Sequence, residues 1–201
     1  MGIKDIRRSF ILERTIRLFC ASSIAEVKIK DVAAACSIGE ATFYRYFSKK
    51  TGLIVACAMK LQEKVEKYFS IECDGNGFEK LSRFYYRFFE IFAEHQEYYR
   101  FLSEFDSYCI REEVKELDQY SDGLDVFKKQ FDDAYKAGVA DGSVKKLWDP
   151  DLFYYSTTHA MLSLCKKLAS EGHIVRQDDL TDNRQEIRTV IEVILNYLRN
   201  E

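Results

Sequence analysis

Apolar residues along this chain recur mostly at three- and four-residue intervals, and the elements they predict are helices. Ile11, Thr15, Leu18 and Phe19 fall at i, i+4, i+7 and i+8 on one face of a helix from Ile6 to Ala21. Two short segments follow, an Ala-rich helix from Ile29 to Cys36 and another from Gly39 to Phe47, before a long helix from Thr51 to about Phe69. The run Cys73-Asp74-Gly75-Asn76-Gly77 is the clearest break in the pattern and separates a head from a body. The body is predicted to open with a helix from Phe78 to about His95, aromatic nearly all round, then Gln96 to about Ser107 and Asp118 to Ala137. Gly138 and Gly142 read as a turn. Asp149-Pro150 reads as an N-cap and first helical residue, opening a helix from Pro150 to Ser170 that Gly172 stops. The last helix, Thr181 to about Arg199, sets Ile187, Val190, Ile191, Ile194, Leu195 and Leu198 at i, i+3, i+4, i+7, i+8 and i+11. The expected fold is all-α, with about nine helices and no sheet.

Composition supports that reading. The 201 residues include Pro 1 and Gly 9 against Phe 15 and Tyr 13, too few turn formers for a sheet protein and enough for long helices with short links. Hydrophobic residues at 47% and charged residues at 31% fit a globular chain. No apolar run approaches the roughly 18 residues of a membrane span. Met1-Gly2-Ile3-Lys4-Asp5-Ile6-Arg7-Arg8 has no apolar stretch behind its charges, so no secretory signal is expected and the cytoplasm is the expected location. The six cysteines (Cys20, Cys36, Cys57, Cys73, Cys109, Cys165) are widely spaced, mostly within apolar helical patterns, and read as reduced thiols. His95, His159 and His173 lie far apart, so neither a metal nor another cofactor is expected. A Gly-rich phosphate loop, a G-x-S-x-G elbow and a C-x-x-C pair are all missing from the sequence, which argues against an enzyme. Acidic runs such as Glu112-Glu113 and Asp132-Asp133 read as solvated helical faces.

Charge is unevenly divided. Residues 1–52 hold ten Lys/Arg and five acids, whereas the remainder holds 20 basic and 28 acidic residues. A basic head on an acidic body is the distribution that phosphate neutralisation asks for. Within that head, residues 29–47 compress two short helices and a tight turn near Ser37 into about twenty residues, which suits a helix-turn-helix. Val32, Ile38, Phe43 and Phe47 are the expected shared core with Leu18 and Phe19, and small Ala33 marks a close helix crossing. The outward positions of the second helix are Glu40, Ala41, Thr42, Tyr44, Arg45 and Tyr46, which can meet phosphates or base edges. Lys49-Lys50 opens the next helix, a place that suits a phosphate.

Here a resemblance becomes specific. Phe19, Ile29-x-Asp31-Val32-Ala33, Ile38 and Ala41-Thr42-Phe43-Tyr44-x-Tyr46-Phe47-x-x-Lys50-x-x-Leu53 resemble the amino-terminal DNA-binding domain of the tetracycline-repressor (TetR) family over about residues 6–60. Four positions depart from the family. Ser23, Ser37 and Ala41 stand where it usually has Gly, and Gly39 stands where it usually has Ser; Lys28 also replaces the usual Ser/Thr cap. Ser37 is expected either to take a left-handed backbone or, as the first residue of Ser37-Ile38-Gly39-Glu40, to cap the second helix.

The resemblance implies a helix-turn-helix head at 1–50 (motif about 28–47), a connecting helix at 51–72, and a ligand-binding and dimerisation body at 77–201. It implies a homodimeric, ligand-responsive transcriptional repressor on a two-fold operator in double-stranded DNA. The candidate DNA contacts are Lys28, Lys30, Gly39, Glu40, Ala41, Thr42, Tyr44, Arg45, Tyr46 and Lys50. Ile187, Val190, Ile191, Ile194, Leu195 and Leu198 are the candidate dimer stripe, their alternative being packing within their own domain. Candidate pocket walls are Phe84, Phe88, Phe92, Phe101, Phe105, Tyr108, Tyr135, Tyr155 and His159, around a small apolar or aromatic effector. The alternative function is a helical protein-interaction module with a degenerate head, for which the glycine departures are the only support.

Overall fold

The computed structural model describes residues 2–69, 74–170, 178 and 180–200; the predicted stop at Gly172, and Cys73 and His173, lie outside them. Among the described residues the chain forms ten helices and no strand: α1 (Ile3–Ala21), α2 (Ile29–Ala35), α3 (Glu40–Tyr44), α4 (Lys50–Phe69), α5 (Gly77–Glu94), α6 (Gln96–Arg111), α7 (Asp118–Asp122), α8 (Asp125–Asp141), α9 (Pro150–Ser170) and α10 (Asn183–Leu198). The fold is all-α as expected.

Two local predictions change. The single helix expected over 118–137 is broken into α7 and α8 at Gly123-Leu124, where a Cβ on Gly123 would lie 2.9 Å from the Gln62 amide. Gly138 is not a turn residue but lies inside α8, where α8 crosses α5. A Cβ on Gly77 would fall 1.9 Å from the Gly138 amide nitrogen, and one on Gly138 would fall 2.4 Å from Val144 Cγ2. The turn comes at Gly142, whose φ of +79° ends α8 in the left-handed region.

Compactness divides the chain into two units that interleave in sequence: residues 1–64 with 100–123, and residues 65–99 with 124–201. These differ from the linear head, connector and body of the sequence reading, because α4 and α6 each begin in one unit and end in the other.

In the first unit, α1 packs on α2 and α2 on α3. Phe19, Val32, Ala33, Phe43 and Phe47 are buried as predicted, while Leu18 and Ile38 are half-buried. Thr15 sits among the apolar positions of α1 at no polar cost, since its hydroxyl donates to the Ile11 carbonyl at 2.8 Å. Phe101 and Phe105 of α6 complete this core, with Phe19 and Phe101 ring centroids 6.4 Å apart.

In the second unit, α5 is the central helix and packs on α8, α10 and α9. Asn76 caps it by accepting from the Glu79 amide at 2.9 Å, and the Glu79 carboxylate accepts in turn from the Asn76 amide at 2.9 Å. Aromatic rings fill the space between helices, with Phe84 at 5.2 Å from Phe69 and 5.8 Å from Phe131. Asp149 caps α9 as predicted, accepting from the Leu152 amide at 2.9 Å.

The close crossing yields the first expected outcome. Gly138→Ala forces the added carbon against Val144 and the Gly77 backbone, and is expected to destabilise the fold by about 1–3 kcal/mol or more. Urea unfolding measures this; an unchanged midpoint refutes the crossing.

Candidate nucleic-acid interface

The helix-turn-helix is built from backbone devices. At its start, the Lys28 amide donates to the Asp31 carboxylate at 2.8 Å, the reciprocal half of a capping box, while the Lys28 side chain makes no cap bond of its own. At its end, α2 closes in a Schellman motif: the Ile38 amide bonds the Ala33 carbonyl and the Ser37 amide bonds the Ala34 carbonyl, each at 3.0 Å. This places Ser37 in the left-handed region, with φ of +54°. Of the two expectations for Ser37, the left-handed backbone is the one realised. The capping alternative is not, because the residue preceding α3 is Gly39, whose extended backbone (φ −77°, ψ 152°) carries no side-chain cap.

The second helix is shorter than predicted, Glu40–Tyr44 in place of Gly39–Phe47. Helical hydrogen bonding continues as a turn, with the Phe47 amide on the Phe43 carbonyl at 3.1 Å. Phe43 is fully buried and meets Phe47 at 5.6 Å, so the apolar side of α3 is anchored and its polar side faces out.

None of the ten candidate DNA contacts is buried. Lys28, Lys30, Gly39, Glu40, Ala41, Tyr44 and Arg45 are exposed, and Thr42, Tyr46 and Lys50 are half-buried. Tyr44 is 51% exposed although its ring touches Phe43 edge-on at 5.5 Å. A Cβ on Gly39 would meet nothing within 4 Å, so the chain itself does not require glycine there and the space in front of the helix start is open.

The two lysines at the start of α4 are not equivalent. Lys50 donates to the Ala25 carbonyl at 3.2 Å and lies 5.9 Å from the Tyr108 ring, so it also ties α4 to the α1–α2 turn. Burial pulls its pKa below the ordinary lysine value, with Glu112 working in the opposite direction. Lys49 is exposed and pairs with the exposed Glu116 at 2.7 Å, which holds the Glu116 carboxyl below its usual range.

Several contributors are invisible to a local reading of sequence. The Glu104 carboxylate accepts from Ser23 Oγ at 2.7 Å and from the Ile24 amide at 3.0 Å, fixing the turn between α1 and α2. Ser23, one of the departures from the family pattern, thereby makes a bond that glycine could not. Its partner stands 81 residues away.

The candidate pocket residues are divided between the two units. Phe101, Phe105 and Tyr108 are buried in the first unit; Phe84, Phe88, Phe92 and Tyr135 are buried in the second. Tyr135 already uses its hydroxyl, which accepts from the Leu147 amide at 2.7 Å. Tyr155 and His159 are exposed on α9. The candidate dimer stripe is also reassigned. Ile187, Ile191, Ile194, Leu195 and Leu198 are buried and Val190 half-buried in the single chain, where α10 packs on α5 and α9. Packing within their own unit consumes them. The exposed apolar residues of this region are Leu152, Tyr155, Val193 and Tyr197.

Cys36, Cys57 and Cys165 are buried, as the sequence suggested; burial pushes the Cys165 thiol up to about 12. No helix among the described residues is long and apolar enough to cross a membrane.

Two short helices joined by a tight turn, the second anchored by one face and open on the other, form the arrangement of a DNA-binding regulator. Residues 11–57 match the family model described as "Bacterial regulatory proteins, tetR family". In a comparison with curated proteins, no sequence matches. Solved structures match over nearly the whole chain. A bacterial regulatory protein in the tetR family from Rhodococcus RHA1 is 16% identical, with a TM-score of 0.70 over 97% of this chain and 98% of that one. The ketosteroid transcriptional regulator KstR2 of Mycobacterium tuberculosis is 16% identical, with a TM-score of 0.66 over 97% and 96%. A TetR family transcription regulator from Marinobacter aquaeolei VT8 is 19% identical, with a TM-score of 0.63 over 98% and 97%. Residues 11–57 thus match the tetR family of bacterial regulatory proteins, and the chain as a whole has the fold of TetR-family transcriptional regulators.

Ser37→Gly is expected to stabilise the protein by about 1 kcal/mol by relieving the left-handed backbone of a non-glycine residue. A urea midpoint that falls on this substitution contradicts the Schellman geometry.

Proposed function

We propose that this protein is a ligand-responsive transcriptional repressor that binds a two-fold operator as a homodimer. The observation that carries the reading is the exposed face of α3, with Glu40, Ala41, Tyr44 and Arg45 outward while Phe43 is fully buried. In the proposed division of labour, Tyr44, Arg45, Lys28, Lys30 and Lys50 engage the phosphate backbone. Glu40, Ala41 and Thr42 face base edges, with Gly39 letting the helix start approach closely. Tyr46, half-buried, contributes from the end of the turn.

One head offers few contacts, so the proposal needs two, one helical turn of DNA apart (roughly 34–36 Å). The surface proposed to join them is the outer side of α9 and α10. Leu152, Tyr155 and His159 lie at i, i+3 and i+7 on α9, and Val193 and Tyr197 at i and i+4 on α10; all five are exposed in the single chain. A second copy meeting this face covers it isologously. The proposed effector is a small molecule with an apolar or aromatic body, held in the aromatic second unit. It acts by preferring a different separation of the two heads, and operator affinity falls by its differential binding energy, typically about 1–3 kcal/mol. The proposed coupling element is α4, one continuous helix from Lys50 to Phe69.

The alternative is a helical protein-interaction module with a degenerate head. Against it we set the backbone of Ser37, which adopts the left-handed conformation that glycine would adopt there.

Retention on duplex DNA is expected to fall steeply between roughly 50 and 200 mM salt, as counterion release demands. In a binding-site selection, Tyr44→Ala should weaken every duplex alike, whereas Glu40→Ala should change the preferred sequence. Equal loss at both positions on all duplexes contradicts the division between backbone and base contacts.

The dimer is tested by sedimentation. Tyr155→Glu with Val193→Glu is expected to give a folded single-chain species that binds operator poorly; a dimer that persists in this variant moves the interface elsewhere.

A further inference from the structure

Polar side chains in the aromatic interior of the second unit mostly have partners. Tyr85 shares a hydrogen bond with Thr157 at 2.7 Å, and Tyr99 donates to the Phe88 carbonyl at 3.0 Å. Arg87 on α5 is different. Its side chain is only 8% exposed, its Nη1 donates to the Glu90 carboxylate, and its Nη2 is buried without any hydrogen-bond partner. No other buried side-chain nitrogen or oxygen among the described residues lacks a partner. A guanidinium cannot shed its proton to escape this cost. Leaving a buried charged donor unpaired is expensive enough to call for a reason.

The surroundings narrow the reason. Phe84 and Ile91, at i−3 and i+4 from Arg87, are buried on the same side of α5, and the Phe84 ring is packed among Phe69 and Phe131. A molecule that reaches the orphan nitrogen therefore has to present apolar or aromatic surface beside its acceptor. Glu90 reaches Arg87 from the edge of the helix with 39% of its side chain exposed, so its carboxylate has water available when displaced.

We propose that Arg87 anchors the carboxylate of a small apolar or aromatic monocarboxylic acid, and that Glu90 is the internal carboxylate it displaces from Nη1. The two outer nitrogens of a guanidinium form a fork that matches the two oxygens of a carboxylate. In the exchange, the ligand carboxylate takes over Nη1 from Glu90 and fills Nη2, so the local charge stays balanced while Glu90 turns to solvent. A polyanion would overfill a site with a single guanidinium. A neutral acceptor could take one N–H but would leave the fork half used. The inference rests on the reading that the second unit receives an effector, and it names that effector's chemical class.

The test uses the full-length protein and calorimetric titration with octanoate and 2-naphthoate, each against its primary amide. At least one of the two acids is expected to bind the wild type about ten-fold or more tightly than its amide, the worth of a hydrogen-bonded charge pair. Arg87→Met, similar in length and uncharged, should erase that preference. Glu90→Gln should strengthen acid binding by weakening the competitor. Amides binding as well as acids, acid affinity unmoved by Arg87→Met, or no binding by either acid overturns the proposal. Where circular dichroism finds Arg87→Met unfolded, the decision passes to Glu90→Gln, whose acid affinity must rise; an unchanged or weaker value overturns the anchor. A mobility shift on a selected duplex separates the two levels. Acids that bind through Arg87 without altering DNA affinity support the anchor and remove the effector role. A neutral compound that alters DNA affinity regardless of Arg87 does the reverse.

Discussion

The left-handed backbone at Ser37 is the constraint on which the head depends. Two hydrogen bonds across it, from Ile38 and Ser37 back to Ala33 and Ala34, end α2 and turn the chain toward α3. Because both bonds are made by the main chain, the residue at this place sets the energetic cost of the turn but not its direction. That is how serine stands in for glycine without spoiling the exposed face beyond it. The same logic operates at the other end of α2, where Asp31 takes up the Lys28 amide. A seven-residue helix would not persist alone in water. Closed at both ends and buried through Val32 and Ala33, it does.

A helical face can be spent once. The broad apolar stripe of α10 is used to hold α5 and α9, and this leaves only its opposite side available to anything outside the chain. The same economy holds on α9, where Tyr154, Thr158, Met161 and Cys165 turn inward while Leu152, Tyr155 and His159 stay out. Within each helix, the residue pattern therefore marks a core side and an outer side, but it does not say which of two apolar stripes is which.

That ambiguity governs what is legible in the sequence. The Thr42-Phe43-Tyr44-Arg45-Tyr46-Phe47 string marks the head, since it sets buried Phe43 and Phe47 among outward side chains on one short turn and carries the family resemblance. Asp149-Pro150 announces the start of α9 in the same direct way. Gly138 misleads because a glycine that ends a helix and one that admits a neighbouring helix look alike until the neighbour, Gly77, is in place. Glu104 and Glu116 are unreadable for a different reason: their partners Ser23 and Lys49 are distant in sequence, and no periodicity links them. Arg87 is hidden inside a run of aromatic residues that implies burial for every position around it.

The interleaving of the two units has a consequence for how such a protein can be cut or exchanged. The stretch 100–123 lies far along the chain yet supplies Phe101 and Glu104 to the region that includes α1, α2 and α3. A fragment ending after α4 would bare Phe19 where Phe101 had covered it and would leave the Ser23 turn without its carboxylate. The helix-turn-helix is thus not a detachable cassette. Recombination that swaps it for another must bring along, or accommodate, a helix encoded about fifty codons downstream of α3.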